Sequence, residues 1–192
     1  SVICARGWGD FHVISARKQP DRCWTMKLKL FGGFALKENR SEMVPVSLRR
    51  GQALLAYLAY RETRRESREV LLDMLWPDRF KEQAQASLRQ VIFELKALAP
   101  ADAPVLLTSR NDVALGPAIE ECDLWSFEER TAANQIEDAE FLLGLYSGPF
   151  LDSPPLATEP FLQWTAIQRS RLENQLETSI LNATGEYPSP AD

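Results

Sequence analysis

QAQASLRQVIFELKAL, residues 83–98, is the stretch that determines the predicted fold. Its apolar residues recur at helical spacing and predict one buried stripe, made of Ala84, Leu88, Val91, Ile92 and Leu95. The opposite side of the same helix carries Gln83, Ala86, Gln90 and Phe93, flanked by Arg89, Ser87 and Glu94. A helix face that contacts only water is normally charged. This face offers mainly amides and an aromatic ring, which indicates a binding surface.

Two further helices are predicted before this one. Residues 49–62 predict a helix with an inward side of Leu54, Leu55, Leu58 and Ala59. Ser67 is a suitable N-cap for a second helix, which Pro77 ends. Its predicted inward residues are Leu71, Leu72, Leu75 and Trp76. The helix of residues 83–98 is therefore the third in the chain.

Short extended segments flank the three predicted helices. Residues 26–36 predict a strand with a bend or bulge at Gly32-Gly33, and residues 45–48 predict a second short strand. Residues 105–116 predict a hairpin that turns near Ser109 to Asp112, where Asn and Asp tolerate positive φ. The order strand, strand, three helices, hairpin is typical of a winged helix. We therefore predict an α+β winged helix-turn-helix over residues 26–117, with an N-terminal antiparallel sheet and a C-terminal wing hairpin.

The rest of the chain predicts an all-α domain over residues 118–187, with helices at 123–134, 136–146 and 158–183. Its aromatic and large apolar residues are expected to form a core: Trp125, Phe127, Leu145, Tyr146, Phe150, Phe161 and Trp164. A stripe on its last helix suits packing or dimerisation: Ile167, Leu172, Leu176 and Ile180. Residues 188–192 are predicted to be a flexible tail. Residues 1–25 are expected to be an upstream extension or linker.

Composition excludes several other classes of protein. The 192 residues carry a net charge of −5, which divides into +2 for residues 1–25, +4 for residues 26–117 and −11 for residues 118–192. The sequence contains no apolar run of membrane-spanning length and no signal-peptide core, so a cytoplasmic location is expected. Three cysteines without a CxxC pair and one histidine provide no zinc pattern and no disulfide framework. We expect no cofactor and no metal.

The third helix supplies the candidate base-reading residues. In a helix-turn-helix protein this helix enters the major groove and presents side chains to base edges. Gln pairs with adenine, Arg pairs with guanine, and an aromatic ring contacts the thymine methyl group. Gln90, Arg89 and Phe93 are of these types. Alternatively, Phe93 packs under the hairpin or against a second domain, because exposed aromatic residues are also common at protein interfaces.

Basic residues near the second helix and the hairpin are candidates for phosphate contacts. They are Arg64, Arg65, Arg68, Arg79 and Lys81 around the ends of the second helix. Arg110 at the predicted hairpin tip suits the minor groove or a phosphate. A run of charges is also what a solvated surface carries, so both interpretations of these residues stay open.

Six segments in order give residues 28–183 a resemblance to the SARP-type bacterial transcriptional activators. The segments are RRGQALLAYLAYR, SREVLLDMLWPD, ASLRQVIFELKAL, CDLWSFEE, LYSGPFLD and FLQWTAIQRSRLENQL. In this family an OmpR/PhoB-like winged helix is followed by the helical, TPR-like bacterial transcriptional activator domain. The resemblance implies that Ser87, Arg89, Gln90 and Phe93 read bases and that Ser109 and Arg110 belong to the wing.

The family also implies a function and partners. These are sequence-specific binding to double-stranded promoter DNA, often at direct repeats, recruitment of RNA polymerase, and a homodimer at least on DNA. A second class stays open, because some winged-helix modules bind proteins instead and because Glu94 and the small positive charge suit such a module. An enzyme is not expected, since the sequence contains no nucleophile motif and no phosphate-binding glycine loop.

Overall fold

The computed structural model describes residues 24–38, 42–133 and 138–184. It is a mixed α+β fold in which two three-stranded sheets and six helices occupy these residues. The predicted extension is described only at Trp24 and Thr25, which contact or enter the core. The predicted tail lies outside the described residues. So do Cys4, His12 and Cys23 of the predicted extension.

The first sheet begins with a hairpin rather than the single bent strand predicted for residues 26–36. Strand β1 (Met26–Lys29) pairs antiparallel with strand β2 (Ala35–Glu38). The chain reverses at Gly32 and Gly33, whose φ angles of +77° and +138° suit glycine. Residues 45–48 form no strand, so that prediction is wrong. Within the described residues, the nearest bridge joins Met43 to Lys37.

Three helices follow close to their predicted positions. Helix α1 is Arg49–Tyr60, α2 is Arg68–Leu75 and α3 is Lys81–Lys96. Ser67 caps α2 as predicted, since its hydroxyl accepts a hydrogen bond from the Val70 N–H at 3.3 Å. All the residues predicted to point inward from the three helices are buried, including the complete stripe of α3.

The second sheet contains the predicted hairpin and one strand that the sequence did not suggest. Strand β3 (Arg65–Ser67) pairs antiparallel with β5 (Asp112–Leu115), which also pairs with β4 (Leu106–Thr108). The strand order is β3-β5-β4. Because β3 leads directly into α2, this sheet fixes the hairpin to the start of α2.

Strand β6 (Ile119–Cys122) connects the two parts of the chain. It pairs with β1 in parallel, giving the first sheet the order β2-β1-β6. An antiparallel N-terminal pair is therefore present, but it forms within the first predicted strand segment rather than between residues 26–36 and 45–48, and β6 adds a parallel strand that was not predicted. The strand lies just beyond the expected domain boundary at residues 117/118. The segment 118–187 accordingly begins inside the sheet of the preceding part.

The later helices pack on the side of α1 and α2 that faces away from α3. They are α4 (Asp123–Ala133), α5 (Asp138–Leu145) and α6 (Glu159–Thr184). Phe150 and Phe161 are fully buried, and Trp164 stacks against Tyr57 and Tyr60 of α1 with ring centroids 5.0 and 5.6 Å apart. The predicted stripe of α6 is only partly buried, because Leu172 and Leu176 are enclosed whereas Ile167 is 64% exposed.

Candidate nucleic-acid interface

Helix α3 has one side in the core and one side in solvent. Leu88, Val91 and Leu95 lie against α1 and α2. Phe93 lies opposite this stripe and is 70% exposed. The alternative that Phe93 packs under the hairpin or against another part of the described chain is therefore wrong. Gln83, Ala86, Arg89 and Gln90 are also exposed, so the face predicted to bind DNA is open.

Four of the predicted basic residues line one groove beside α3. The groove has a volume of about 640 Å³ and lies between α3, the start of α2 and the hairpin tip. Its basic residues are Arg68, Lys81, Arg89 and Arg110. Lys81 is 3.5 Å from the exposed carboxylate of Glu69. The guanidinium groups of Arg89 and Arg110 form no ion pair or hydrogen bond with the described residues, which leaves both available to an anion.

The hairpin tip is held by Arg68 and shaped by Ser109. The Arg68 guanidinium donates from Nε and Nη2 to the Ser109 carbonyl at 3.3 and 3.1 Å. The Ser109 hydroxyl accepts from the N–H groups of Asn111 and Asp112 at 3.2 and 2.9 Å. Arg68 and Ser109 were both predicted at the DNA interface, and their side chains form these bonds within the chain. Arg68 and Ser109 therefore position Arg110, which is exposed at the tip.

The other side of α3 forms a second, smaller pocket of about 270 Å³ with the start of α1. Arg79 Nη1 donates to the Ser87 hydroxyl at 2.9 Å, so these two predicted residues meet here. Gln90 Nε2 donates to Glu94 Oε1 at 2.9 Å on the same edge. Sequence reasoning missed Arg49 and Arg50, which also line this pocket. The signal was the pair of arginines that opens RRGQALL, but the sequence alone does not place the start of α1 beside α3.

Two predicted phosphate ligands lie elsewhere. The Arg64 guanidinium is stacked on the ring of Trp125, with its Cζ 3.8 Å from the ring centroid. Arg65 is exposed on β3, where it pairs with Ala114 of β5. The structure therefore brings together Arg68, Lys81, Arg89 and Arg110 on one side of α3, and Arg79 with Ser87 on the other. It leaves Arg64 and Arg65 outside both pockets.

Electrostatics adds one observation at the second pocket. Burial, and secondarily the positive charge of Arg79, lower the pKa of Arg50 from its ordinary value. Arg50 Nε donates to the Leu75 carbonyl at 3.2 Å, and its guanidinium lies 5.5 Å from the Trp76 ring centroid. Two cations are thus held near each other. Among the described residues, neither forms an ion pair with a carboxylate.

The described residues contain no cluster of three or more histidine, cysteine, aspartate or glutamate side chains that could hold a metal ion. Cys122 is buried, and burial together with the charge of Asp123 raises the pKa of its thiol well above the ordinary range. No helix within the described ranges is both long and apolar enough to span a membrane.

Comparison with solved structures finds similarity to EmbR of Mycobacterium tuberculosis, determined in complex with a low-affinity phosphopeptide. The TM-score is 0.65, the identity is 21%, and the match covers 81% of this chain and 44% of that chain. No protein-family model and no curated protein matches the sequence. The chain spans less than half the length of this neighbour. At this identity the match defines an EmbR-like fold, which supports the SARP-like fold expected from the sequence.

Proposed function

We propose that the protein is a sequence-specific DNA-binding transcriptional regulator. In this proposal, residues 26–117 act as a winged helix-turn-helix in which α3 enters the major groove and the β4–β5 hairpin is the wing. The observation that carries the proposal is the exposed side of α3, where Arg89, Gln90 and Phe93 face solvent directly opposite a fully buried stripe. These side chains are of the types that read guanine, adenine and thymine.

The charge around α3 supports the same function. Arg110 lines the groove between α3 and the hairpin, opposite Arg89 of α3, so it lies where a phosphate backbone passes a helix docked in the major groove. Arg68 and Ser109 contribute indirectly by fixing the hairpin tip. Ser87 contributes in the same way, because it holds Arg79 at the other edge of α3.

The remaining parts of the proposal rest on the SARP resemblance and the EmbR-like fold. Helices α4 to α6 belong to a TPR-like activator domain, and its acidic surface faces away from DNA and contacts RNA polymerase or a second subunit. The regulator acts in the cytoplasm, without a cofactor or an enzymatic activity. It binds promoter sites arranged as direct repeats, as a homodimer at least when on DNA.

Fluorescence anisotropy with the purified chain tests this function. The probes are the DNA upstream of the protein's own gene and a scrambled duplex of equal length, each titrated at several salt concentrations. We expect tight binding to the upstream DNA alone, with an affinity that falls steeply as salt rises. Absence of binding to either duplex at low salt would overturn the proposal.

A protein-interaction module is the second candidate function. Two exposed aromatic residues favour it, because Phe80 at the start of α3 is 79% exposed and Phe93 is 70% exposed. Glu94 on the edge of the same helix also suits a protein partner better than a phosphate backbone. Retention on heparin or bulk DNA at low salt separates the two functions, since a module for proteins alone passes through both.

A further inference from the structure

The two sides of α3 differ in what the sequence predicted for them. The groove on the hairpin side contains residues expected to contact phosphates. The pocket on the α1 side contains Arg49 and Arg50, which were not expected to have any role. Ser87, Gln90 and Glu94 line this pocket on α3, and Lys81, Gln85 and Arg89 line the groove. The exposed ridge of Ala86 and Phe93 lies between the two sets, because they are on opposite sides of the helix.

We infer that Arg49, Arg50 and Arg79 form a second binding site for a DNA backbone phosphate, so that α3 is held at both edges of the major groove. This inference rests on the proposed DNA-binding function. It assigns a ligand class to a pocket outside the groove between α3 and the hairpin, and it adds two residues to the interface.

The positions of the three guanidinium groups carry the inference. Arg79 is fixed by its hydrogen bond to Ser87 at 2.9 Å. Arg50 is fixed by the Leu75 carbonyl and by Trp76, and this contact uses Nε. Its Nη groups form no hydrogen bond with the described residues. Arg49 is exposed at the first turn of α1. Prepositioned guanidinium groups bind phosphate oxygens well, because less side-chain freedom is lost on binding.

The pocket also has more positive than negative side chains, since three arginines and one glutamate line it. Glu94 is its only carboxylate among the described lining residues, and the hydrogen bond of Glu94 goes to Gln90 rather than to an arginine. Burial first, and the nearby positive charge of Arg79 second, disfavour the charged state of Arg50 and lower its pKa. A bound phosphate removes this repulsion. The site therefore gains more from an anion than three separate surface arginines do.

Arg49→Gln and Arg50→Gln test the site, with Arg61→Gln as a charge control whose guanidinium pairs with Glu66 at 3.1 Å. Arg61 follows the last residue of α1, so its replacement removes the same charge roughly 18 Å from Arg49. We expect Arg49→Gln to lower the affinity for the upstream and scrambled duplexes equally, about five- to tenfold near 0.1 M salt. The slope of log affinity against log salt should fall by about one. Arg61→Gln should change neither quantity appreciably.

Phosphate ethylation interference on the upstream duplex locates the contact. Wild-type protein should be sensitive to ethylation at phosphates on both edges of the contacted major groove, and Arg49→Gln should lose sensitivity at one edge only. A thermal melt of Arg50→Gln accompanies these measurements, because Arg50 also packs on Trp76. If Arg50→Gln unfolds, Arg49→Gln alone tests the site, because the Arg49 side chain is exposed.

Three results would overturn the second site. In the first, wild-type protein binds DNA and Arg49→Gln behaves as Arg61→Gln does, which leaves the DNA-binding function intact. In the second, only the upstream affinity falls and the salt slope is unchanged, which assigns Arg49 to base reading. In the third, Arg49→Gln keeps the DNA affinity and salt slope of wild type, while inorganic phosphate at constant ionic strength raises the melting temperature of wild type but not of Arg49→Gln, which identifies a free-phosphate site. Wild-type protein that binds neither duplex would overturn both proposals together.

Discussion

Arginines on the two sides of the unit formed by α1, α2 and α3 have different environments. On the side that faces α4 and α6, Arg64 stacks on Trp125, and Arg171 donates to the Tyr60 hydroxyl at 3.0 Å. On the α3 side, Arg89 and Arg110 form no such contact with the described residues. The residue type is the same on both sides, and so is the positive charge. For these four arginines, the difference lies in whether the folded chain supplies a partner for the guanidinium group.

This comparison separates stability from binding. An arginine stacked on an aromatic ring contributes to the folded state through packing and a cation–π interaction. An arginine held beside a pocket without a partner contributes little to folding, and its contribution depends on a ligand. Variants on the α4/α6 side should therefore change unfolding, and variants on the α3 side should change DNA affinity.

The largest effect is expected from Phe150→Ala. Phe150 is fully buried between the α1 and α6 aromatics, 5.7 Å from Tyr60 and 5.9 Å from Trp164 by ring centroids. Its truncation leaves a cavity and should lower the free energy of unfolding by about 3–5 kcal/mol in urea titrations. A loss below 1 kcal/mol would show that the α4/α6 side is not an integral part of the core.

Arg89→Ala and Gln90→Ala should change DNA affinity rather than the free energy of unfolding. Each is expected to weaken binding to the upstream duplex by about 1–3 kcal/mol, with unfolding changed by less than about 0.5 kcal/mol. Gln163→Ala is a matched control, because Gln163 forms the same kind of bond to Glu159 on exposed α6, at 2.8 Å. Equal affinities for all three variants and wild type would remove α3 from the interface.

The Asp123 carboxyl, at the start of α4, should make the free energy of unfolding depend on pH. Burial raises the pKa of this carboxyl above 3.8, although it accepts from the N–H groups of Leu30, Phe31 and Leu124. The folded chain thus binds this proton more tightly than the unfolded chain. Relative to Asp123→Asn, wild type should lose stability as pH rises from 3.8 through the folded pKa, and then stay constant. Urea titrations from pH 3.5 to 7 measure this, and a relative gain over that range would contradict it.

The smallest effect is expected from Arg64→Gln. Loss of the contact with Trp125 should cost about 0.5–1 kcal/mol of unfolding free energy, with no change in DNA affinity. Arg64 has a φ of +53°, and Gln is no better suited to that conformation than Arg, so the substitution tests the side chain. A fall in DNA affinity without a fall in stability would place Arg64 in the interface, as its position in the sequence suggested.

The elements that the sequence predicted well are those with internal signals. The stripe of α3, the Ser67 cap and the β4–β5 turn each depend on residues close in the chain. Strand β3 has no such signal, because Arg65-Glu66-Ser67 is entirely polar and is extended only through its pairing with β5. Strand β6 was missed because Ile119 and Cys122 are buried while the two glutamates between them are exposed, which is not strict alternation.

The candidate site follows the same rule. The exposed side of α3 was evident from helical periodicity, and so was the hairpin tip from its turn residues. The partners of each arginine were not, since they depend on residues distant in sequence. Arg64 meets Trp125, and Arg49 lies beside Gln90 and Glu94. The sequence therefore identified candidate basic residues. It could not show which of them would bind a partner within the folded chain.

The parallel pairing of β6 with β1 has a consequence for synthesis of the chain on the ribosome. The Asp123 carboxylate that accepts the Leu30 N–H lies 93 residues after it. At translation rates of about 5–20 residues per second, β1 emerges roughly 5–20 seconds before the residues that complete its sheet. During that interval one edge of β1 is unpaired. Nascent chains should therefore be most prone to misassociation before residue 123 emerges, and completion of the sheet should be a late event in folding.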